Sequence, residues 1–241
     1  MTRSTMRSRP GSRLLQSSDE VDVRNQTMVD SIVDLVGRHA QGPVRDVIDL
    51  GCQAGEITDL YARALNTAVT GIEPFIGEPR RSPEGNQLLH GWSNALPFGD
   101  GQLDCVILAN VYEHIRPEDR SASLDEARRV LTPGGLLVGQ LPNPYFIVES
   151  HSRLPFMGWL PYRAQLKYWK LSPVAWEHDF YSVSIRDLQR RARAAGLEVL
   201  EVNQFFYPLE AIPQRVRWAA RLAKPILRVM PWSWQFALRA P

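Results

Sequence analysis

Apolar residues Met28, Val29, Ile32, Val33 and Val36 recur three and four apart, the period of one helix face, and Gly42-Pro43 stops the run. Val47 to Leu50 is a short apolar strand. Ile57, Leu60, Tyr61 and Leu65 return to the helical period, and Ala68 to Glu73 is a second strand. Residues 75–86 are rich in Pro, Gly and charge and predict a loop. Gln87 to Gly91 is a third strand. Leu103 to Ala109 is a fourth and almost wholly apolar, as a parallel strand covered on both faces should be. A helix opening near Pro117 carries Leu124, Ala127, Val130 and Leu131 on one face. Pro133-Gly134-Gly135 ends it, and Leu136 to Leu141 is a fifth strand.

Strand alternates with helix along this whole stretch. Such alternation predicts an α/β fold, a mostly parallel sheet wound on both faces. Its ligand belongs outside the carboxyl ends of the strands. Residues 142–181 break the rhythm with prolines and a dense aromatic set, among them Tyr145, Phe156, Trp159, Tyr162, Trp169 and Phe180. They read as an insertion after strand five, a lid over the carboxyl edge. A satellite core beneath a long loop is the competing reading. Ser184, with Asp187 three residues on, predicts the start of a helix running to Gly196, and Leu197 to Val202 is a sixth strand.

Composition narrows the class. The chain has 241 residues and a net charge of +2, so nothing marks it as a nucleic-acid binder. Its two cysteines, Cys52 and Cys105, lie in a turn and a strand, which fits a reducing, cytoplasmic setting better than a disulfide framework. Residues 1–24 carry Arg3, Arg7, Arg9 and Arg13 and read as a disordered basic tail, leaving 25–205 as the main domain. Ala211 to Pro241 holds no acid. Within 206–241, residues 214–229 predict a basic amphipathic helix, and Trp234 to Leu238 a last strand. Peripheral membrane contact through 212–241 follows as an expectation.

Chemistry enters at DLGCQAG, residues 49–55. A strand ending in Asp49, then Gly51 and Gly55, then a helix, sets backbone amides and a close-approach surface at a helix start. Glu73 ends the next strand, where a carboxylate can accept both hydroxyls of a ribose. The dinucleotide pattern G-x-G-x-x-G fails, because its second and third glycines would fall on Gln53 and Glu56. A pyrophosphate would meet a side chain at one and a negative charge at the other. An adenosine without phosphates tolerates both.

The chain resembles the class I S-adenosylmethionine-dependent methyltransferases. The likeness rests on DLGCQAG at 49–55, GIEP at 71–74, the run from Asn94 to Ile115, EARRVLTPGGLLVGQLPN at 126–143, and the stretch from His178 to Val202. The resemblance implies a seven-stranded Rossmann-like sheet whose last strand is antiparallel. It implies S-adenosylmethionine as cofactor. Asp49, Gly51, Cys52, Gln53 and Gly55 would line its methionine and ribose, with Glu73 on the ribose hydroxyls, Asn94 and Ala95 beside the adenine, and Asn110 facing the methionine end. Family members often carry Gly at the position of Gln53 and Asp at that of Asn94.

Methyl transfer needs alignment of acceptor, methyl carbon and sulfur, and a base when the acceptor is a hydroxyl. His39 and His90 lie away from the expected mouth. His114, His151 and His178 are the candidate catalytic residues, with Glu177 and Asp179 placed to orient His178. The Glu113-His114 pair is similar to one that helps hold a metal in quinone-biosynthesis O-methyltransferases. The rest of that pattern is not evident, and no metal ligands are expected. The expectation is O-methylation of a small acceptor: a natural product, a quinone-like ring, a sugar or a lipid-linked molecule. The rivals are a nicotinamide-dependent oxidoreductase and a cofactor- or partner-binding module without catalysis.

Overall fold

A computed structural model describes residues 18–174, 178–212, 214, 217–218 and 230–241. Its centre is a sheet of β1 (Val47–Leu50), β2 (Val69–Glu73), β3 (Arg80–Arg81), β4 (Gln87–His90), β5 (Leu103–Ala109), β6 (Leu131–Pro142), β7 (Glu198–Phe205) and β8 (Ser233–Arg239). The order is β3-β4-β2-β1-β5-β6-β8-β7. From β4 to β6 neighbouring strands are parallel, and β8 runs antiparallel to both β6 and β7. The Trp234–Leu238 strand thus exists, set between the fifth and sixth strands of the sequence reading.

Period-two alternation on the strands decides what each face receives. Val47, Val69, Cys105, Ile107, Leu136 and Val138 pack against α1 (Ser18–His39) and Tyr61 of α2 (Glu56–Leu65). Ile48, Leu50, Ile72, Val106, Leu108 and Leu137 pack against α3 (Arg120–Val130) and α5 (Ile185–Ala194). Ser184 caps α5, its Oγ accepting from the Asp187 N–H at 3.2 Å, as its sequence predicts.

The helix expected to run past Leu131 ends at Val130, so that Leu131 and Pro133-Gly134-Gly135 already belong to β6, and three further features differ from expectation. The sheet has eight strands instead of seven, because Arg80–Arg81, inside the 75–86 loop, pairs antiparallel with Leu88 and Gln87. What holds that hairpin is distant in sequence: the buried Asp59 carboxylate of α2 accepts from Ser82 Oγ, from the Glu84 N–H at 3.0 Å and from Asn86 Nδ2 at 2.8 Å. Second, α1 begins at Ser18, so residues 18–24 of the expected tail are helical, and Arg24 lies over the Tyr207 ring at 5.6 Å. Third, the insertion holds its own small helix, α4 (Tyr162–Tyr168), over a satellite core of Leu154, Met157 and Phe180. The tail at 1–17 and most of the helix expected at 214–229 lie outside the described residues.

Candidate active site

The chain leaves β1 towards β2 on one side and returns to β5 on the other. A crevice opens at such a reversal, outside the carboxyl ends of the strands. The 49–55 turn sits there. Gly51 and Gly55 have φ of 77° and 95°, in the left-handed region. A Cβ on Gly51 would lie 2.5 Å from Val111 Cγ2, and one on Gly55 2.7 Å from Ser82 Cβ. Both glycines are therefore fixed by backbone conformation and by crowding together.

Gln53 also has a positive φ, 50°. The glycine preference at this position is thus conformational, and Gln meets it at about 1 kcal/mol of strain. Its backbone is well used. The N–H donates to Glu73 Oε2 at 3.1 Å, and the carbonyl accepts from the Arg80 guanidinium at 2.9 Å. Three further amides of the turn are taken up by the fold too. Those of Gly51 and Cys52 donate to the Ile72 carbonyl at 2.8 and 3.3 Å, and that of Gly55 to the Cys52 carbonyl at 2.8 Å. Most of the expected cradle of amides is therefore closed to a ligand, which again disfavours a pyrophosphate. What the turn offers is a smooth backbone surface beside two carboxylates.

Those carboxylates are Asp49 and Glu73. Asp49 is buried at the end of β1, and its Oδ2 accepts from Thr58 Oγ1 at 2.7 Å. Burial, against that hydrogen bond and with the nearby Glu73 charge, pushes its pKa up to about 7. Glu73 Oε1 accepts from the Phe75 N–H at 3.3 Å. The Cys52 side chain turns inward onto Ile76 and Leu88, and burial pushes its thiol up to about 12, so it is a packing group and no nucleophile. Asn94 and Ala95 lie exposed on the loop after β4, the Ala95 N–H donating to the Trp92 carbonyl at 2.9 Å. Sequence reasoning missed Phe75 and Trp92 there. Phe75 is 83% exposed and Trp92 42%, edge to face at 6.0 Å. Their placement just past β2 and β4 is the signal that would have found them.

Asn110 follows β5 with a left-handed φ of 56°. Its side-chain amide is taken up by the fold. Nδ2 lies 3.2 Å from Met28 Sδ, and Oδ1 accepts from Gln140 Nε2 at 3.2 Å. Gln140 in turn donates to the Tyr207 hydroxyl at 2.9 Å and accepts from Gln235 at 3.2 Å. Asn110 is a strut joining α1 to β6 and, through Gln140, to β8.

Three residues further on, the 3-10 helical turn Tyr112–His114 meets the insertion. Glu113 is buried, and its carboxylate faces Nε2 of His151 at 3.7 Å and Nε2 of His114 at 4.0 Å. His151 rides on the loop where Val148 bridges Pro155. There the Glu149 carboxylate accepts from its Nδ1–H at 2.7 Å and from its backbone N–H at 2.9 Å. Burial opposes the charge on Glu149, but these bonds outweigh it and hold the pKa at about 2. His114 Nδ1–H donates to the Asp179 carbonyl at 3.1 Å, with the Asp179 carboxylate 3.5 Å away. Burial opposes the His114 charge, yet Asp179 and Glu113 raise its pKa to about 9. Glu113, Glu149 and His151 line one small cleft with Pro142, Pro144 and Phe180.

Folding thus joins His151 to the Glu113-His114 pair, adds Glu149, which the sequence reading did not single out, and assigns Asp179 to His114 instead of His178. His178 stands apart. Its ring stacks on Phe180 at 4.6 Å, its Nε2 is 3.3 Å from Gln165 Oε1, and burial lowers its pKa. Glu177 lies outside the described residues.

The crowded glycines, the two carboxylates and the exposed aromatic faces fit a nucleoside joined to an amino acid, and the spent amides and Glu56 do not fit a dinucleotide. Comparison with known proteins agrees. A methyltransferase-domain family model matches residues 22–202. The ubiquinone/menaquinone biosynthesis C-methyltransferase of Hahella chejuensis is 32% identical over 131 residues, 46% of this chain and 52% of that protein. The malonyl-[acyl-carrier protein] O-methyltransferase of Methylococcus capsulatus is 31% identical over 107 residues, 42% of this chain and 38% of that one. The chain thus spans about half or less of the length of these relatives. An S-adenosylmethionine-dependent methyltransferase from Mesorhizobium loti shares the fold, with a TM-score of 0.57 at 14% identity over 88% of this chain and 99% of that one. With the matched family, the sheet order and the turn all in agreement, this chain belongs to the class I S-adenosylmethionine-dependent methyltransferases.

Proposed function

We propose that this protein methylates a hydroxyl oxygen of a small, apolar acceptor presented at a membrane surface. The observation that carries the oxygen assignment is the Glu113, His114 and His151 group at the carboxyl ends of β5 and β6. Methylation at a hydroxyl requires loss of a proton, and Glu113 and His151 of this group lie on the cleft wall with Glu149. S-adenosylmethionine supplies the methyl on a sulfonium. The acceptor oxygen forms the new O–C bond, the methyl–sulfur bond breaks with its electron pair left on sulfur, and the hydroxyl proton passes to water at the cleft. Asp49 and Glu73 hold the donor, and Pro142, Pro144 and Phe180 keep water from the reacting atoms.

The apolar, membrane-presented acceptor is supported by the outer face of the insertion. Phe156, Trp159, Tyr162, Leu166 and Leu171 are exposed there beside Arg163, Lys167 and Lys170, and no acid lies between Glu149 and Glu177. Aromatic and basic side chains on one face suit an anionic interface. No described helix is long and apolar enough to cross a membrane. Contact through 233–239 is excluded, because Phe236 and Leu238 are buried in the core. The test uses carbon-13 methyl-labelled cofactor with a membrane lipid extract. Label in an O-methyl resonance is expected; label only on carbon or nitrogen overturns the oxygen assignment. Sedimentation with anionic but not neutral vesicles, lost in Trp159→Ser with Leu166→Ser, is expected of the surface.

A further inference from the structure

The Glu113 carboxylate poses a physical problem. It is only 3% exposed, and neither oxygen has a hydrogen-bond partner among the described residues. The two facing nitrogens, 3.7 and 4.0 Å away, are beyond hydrogen-bond range. A buried carboxylate left this way is costly and calls for a charge placed against it.

The histidines are set to share that task. Each has its Nδ1–H engaged by an acceptor, Glu149 for His151 and the Asp179 carbonyl for His114. Each therefore points its Nε2 at Glu113, where His114, charged when no cation is bound, gives up its Nε2 proton when a cation takes its place. An imidazole fixed by an acceptor on its other nitrogen is the usual setting of a metal-ligating histidine. One carboxylate oxygen and two such nitrogens lie within 4.8 Å of one another. Ligands about 2.1 Å from a common ion stand roughly 3–4 Å apart, so a small side-chain movement closes all three on one ion.

We propose that Glu113, His114 and His151 form a divalent-cation site. Two imidazoles with one carboxylate select a first-row transition cation over calcium or magnesium. The ligands come from two segments, the turn after β5 and the insertion, so the ion ties the insertion to the sheet. Three protein ligands leave positions open to the cleft. An acceptor hydroxyl bound to such an ion would have a lowered pKa and would lose its proton to water; this use of the site rests on the oxygen-acceptor reading above.

The test titrates the full chain, stripped with a chelator and desalted, with zinc by calorimetry and with cobalt(II) by visible absorption. One equivalent at micromolar affinity or tighter is expected, with cobalt bands of a low-coordinate site. His151→Ala and His114→Ala weaken binding at least 10-fold, Glu149→Gln about 10-fold, and His39→Gln leaves it unchanged. Circular dichroism confirms that each variant is folded, and His114, partly exposed, is the safeguard should Glu113→Gln fail to fold. Absence of saturable binding by the folded chain, or binding unchanged in both histidine variants, overturns the site. S-adenosylmethionine is titrated in the same samples. Its binding without zinc binding removes the cation and leaves the methyltransferase reading intact. Zinc binding without any label reaching oxygen keeps the site and overturns its role at the acceptor.

Discussion

Phe180 lies between His151 and His178, its ring stacked on each at 4.6 Å. The two histidines look alike in the sequence, and this ring divides them. His151 lines the cleft with Glu113 and Glu149, whereas Tyr162 and Trp169 meet the His178 ring edge to face. His151→Ala is therefore expected to lower kcat by about 100-fold or more while the cofactor Kd stays within a few-fold. His178→Leu is expected to cost little in kcat and about 1 kcal/mol in stability through lost packing. Steady-state kinetics with thermal melting checks both. A collapse of kcat in the His178 variant at unchanged stability would return it to the catalytic group.

Asp49 gives a prediction with a defined sign. Its folded-state pKa, about 7, lies above the ordinary carboxylate value of 3.8, chiefly through burial. The folded state then binds more protons than the unfolded state between those values, so this group's contribution falls as pH rises through the window. Asp49→Asn should raise the melting temperature of the ligand-free protein, by more at pH 8 than at pH 5. The gain at pH 8 is about 1–3 kcal/mol. The same variant should lose S-adenosylmethionine binding. An equal gain at both pH values would show that the Asp49 charge is not what burial penalises.

Phe75 is 83% exposed beside the carboxylate that ends β2. A large apolar ring left open at that point is suited to cover one face of an adenine. Base-to-ring stacking is worth about 1–3 kcal/mol, so Phe75→Ala should weaken cofactor binding roughly 5- to 150-fold. Since the ring is mostly in solvent, the melting temperature of the free protein should scarcely change. Calorimetry on the folded variant decides, and a Kd within twofold of the parent would remove Phe75 from the site.

At Gln53 the left-handed backbone predicts that glycine is accepted. Gln53→Gly relieves about 1 kcal/mol of strain and gives part of it back through the looser unfolded chain. The Glu73 contact is made by the backbone N–H and survives the change. Stability within about 1 kcal/mol and cofactor affinity within threefold are expected. Gln53→Pro, which removes that N–H and cannot take a positive φ, should abolish binding.

Much of this molecule is written locally. The periods around Met28–Val36 and Leu103–Ala109 set helix and strand because side-chain direction repeats at 3.6 and 2 residues. The alternation of those elements set the parallel sheet, and the Asp49–Gly55 turn with Glu73 favoured a nucleoside without a pyrophosphate, since close approach and a terminal carboxylate are properties of single short stretches; the family resemblance supplied the cofactor itself. The strand at Arg80–Arg81 was hidden, because Asp59 holds it from α2. The engagement of the Gly51, Cys52 and Gln53 amides was hidden as well, because their acceptors Ile72 and Glu73 sit on the next strand. The Glu113–His114–His151 group was the deepest of these. Its members come from segments that pack together only once the insertion folds over the ends of β5 and β6, and the carboxylates that turn the two rings, Glu149 and Asp179, act through distances of a few ångströms that no spacing along the chain encodes.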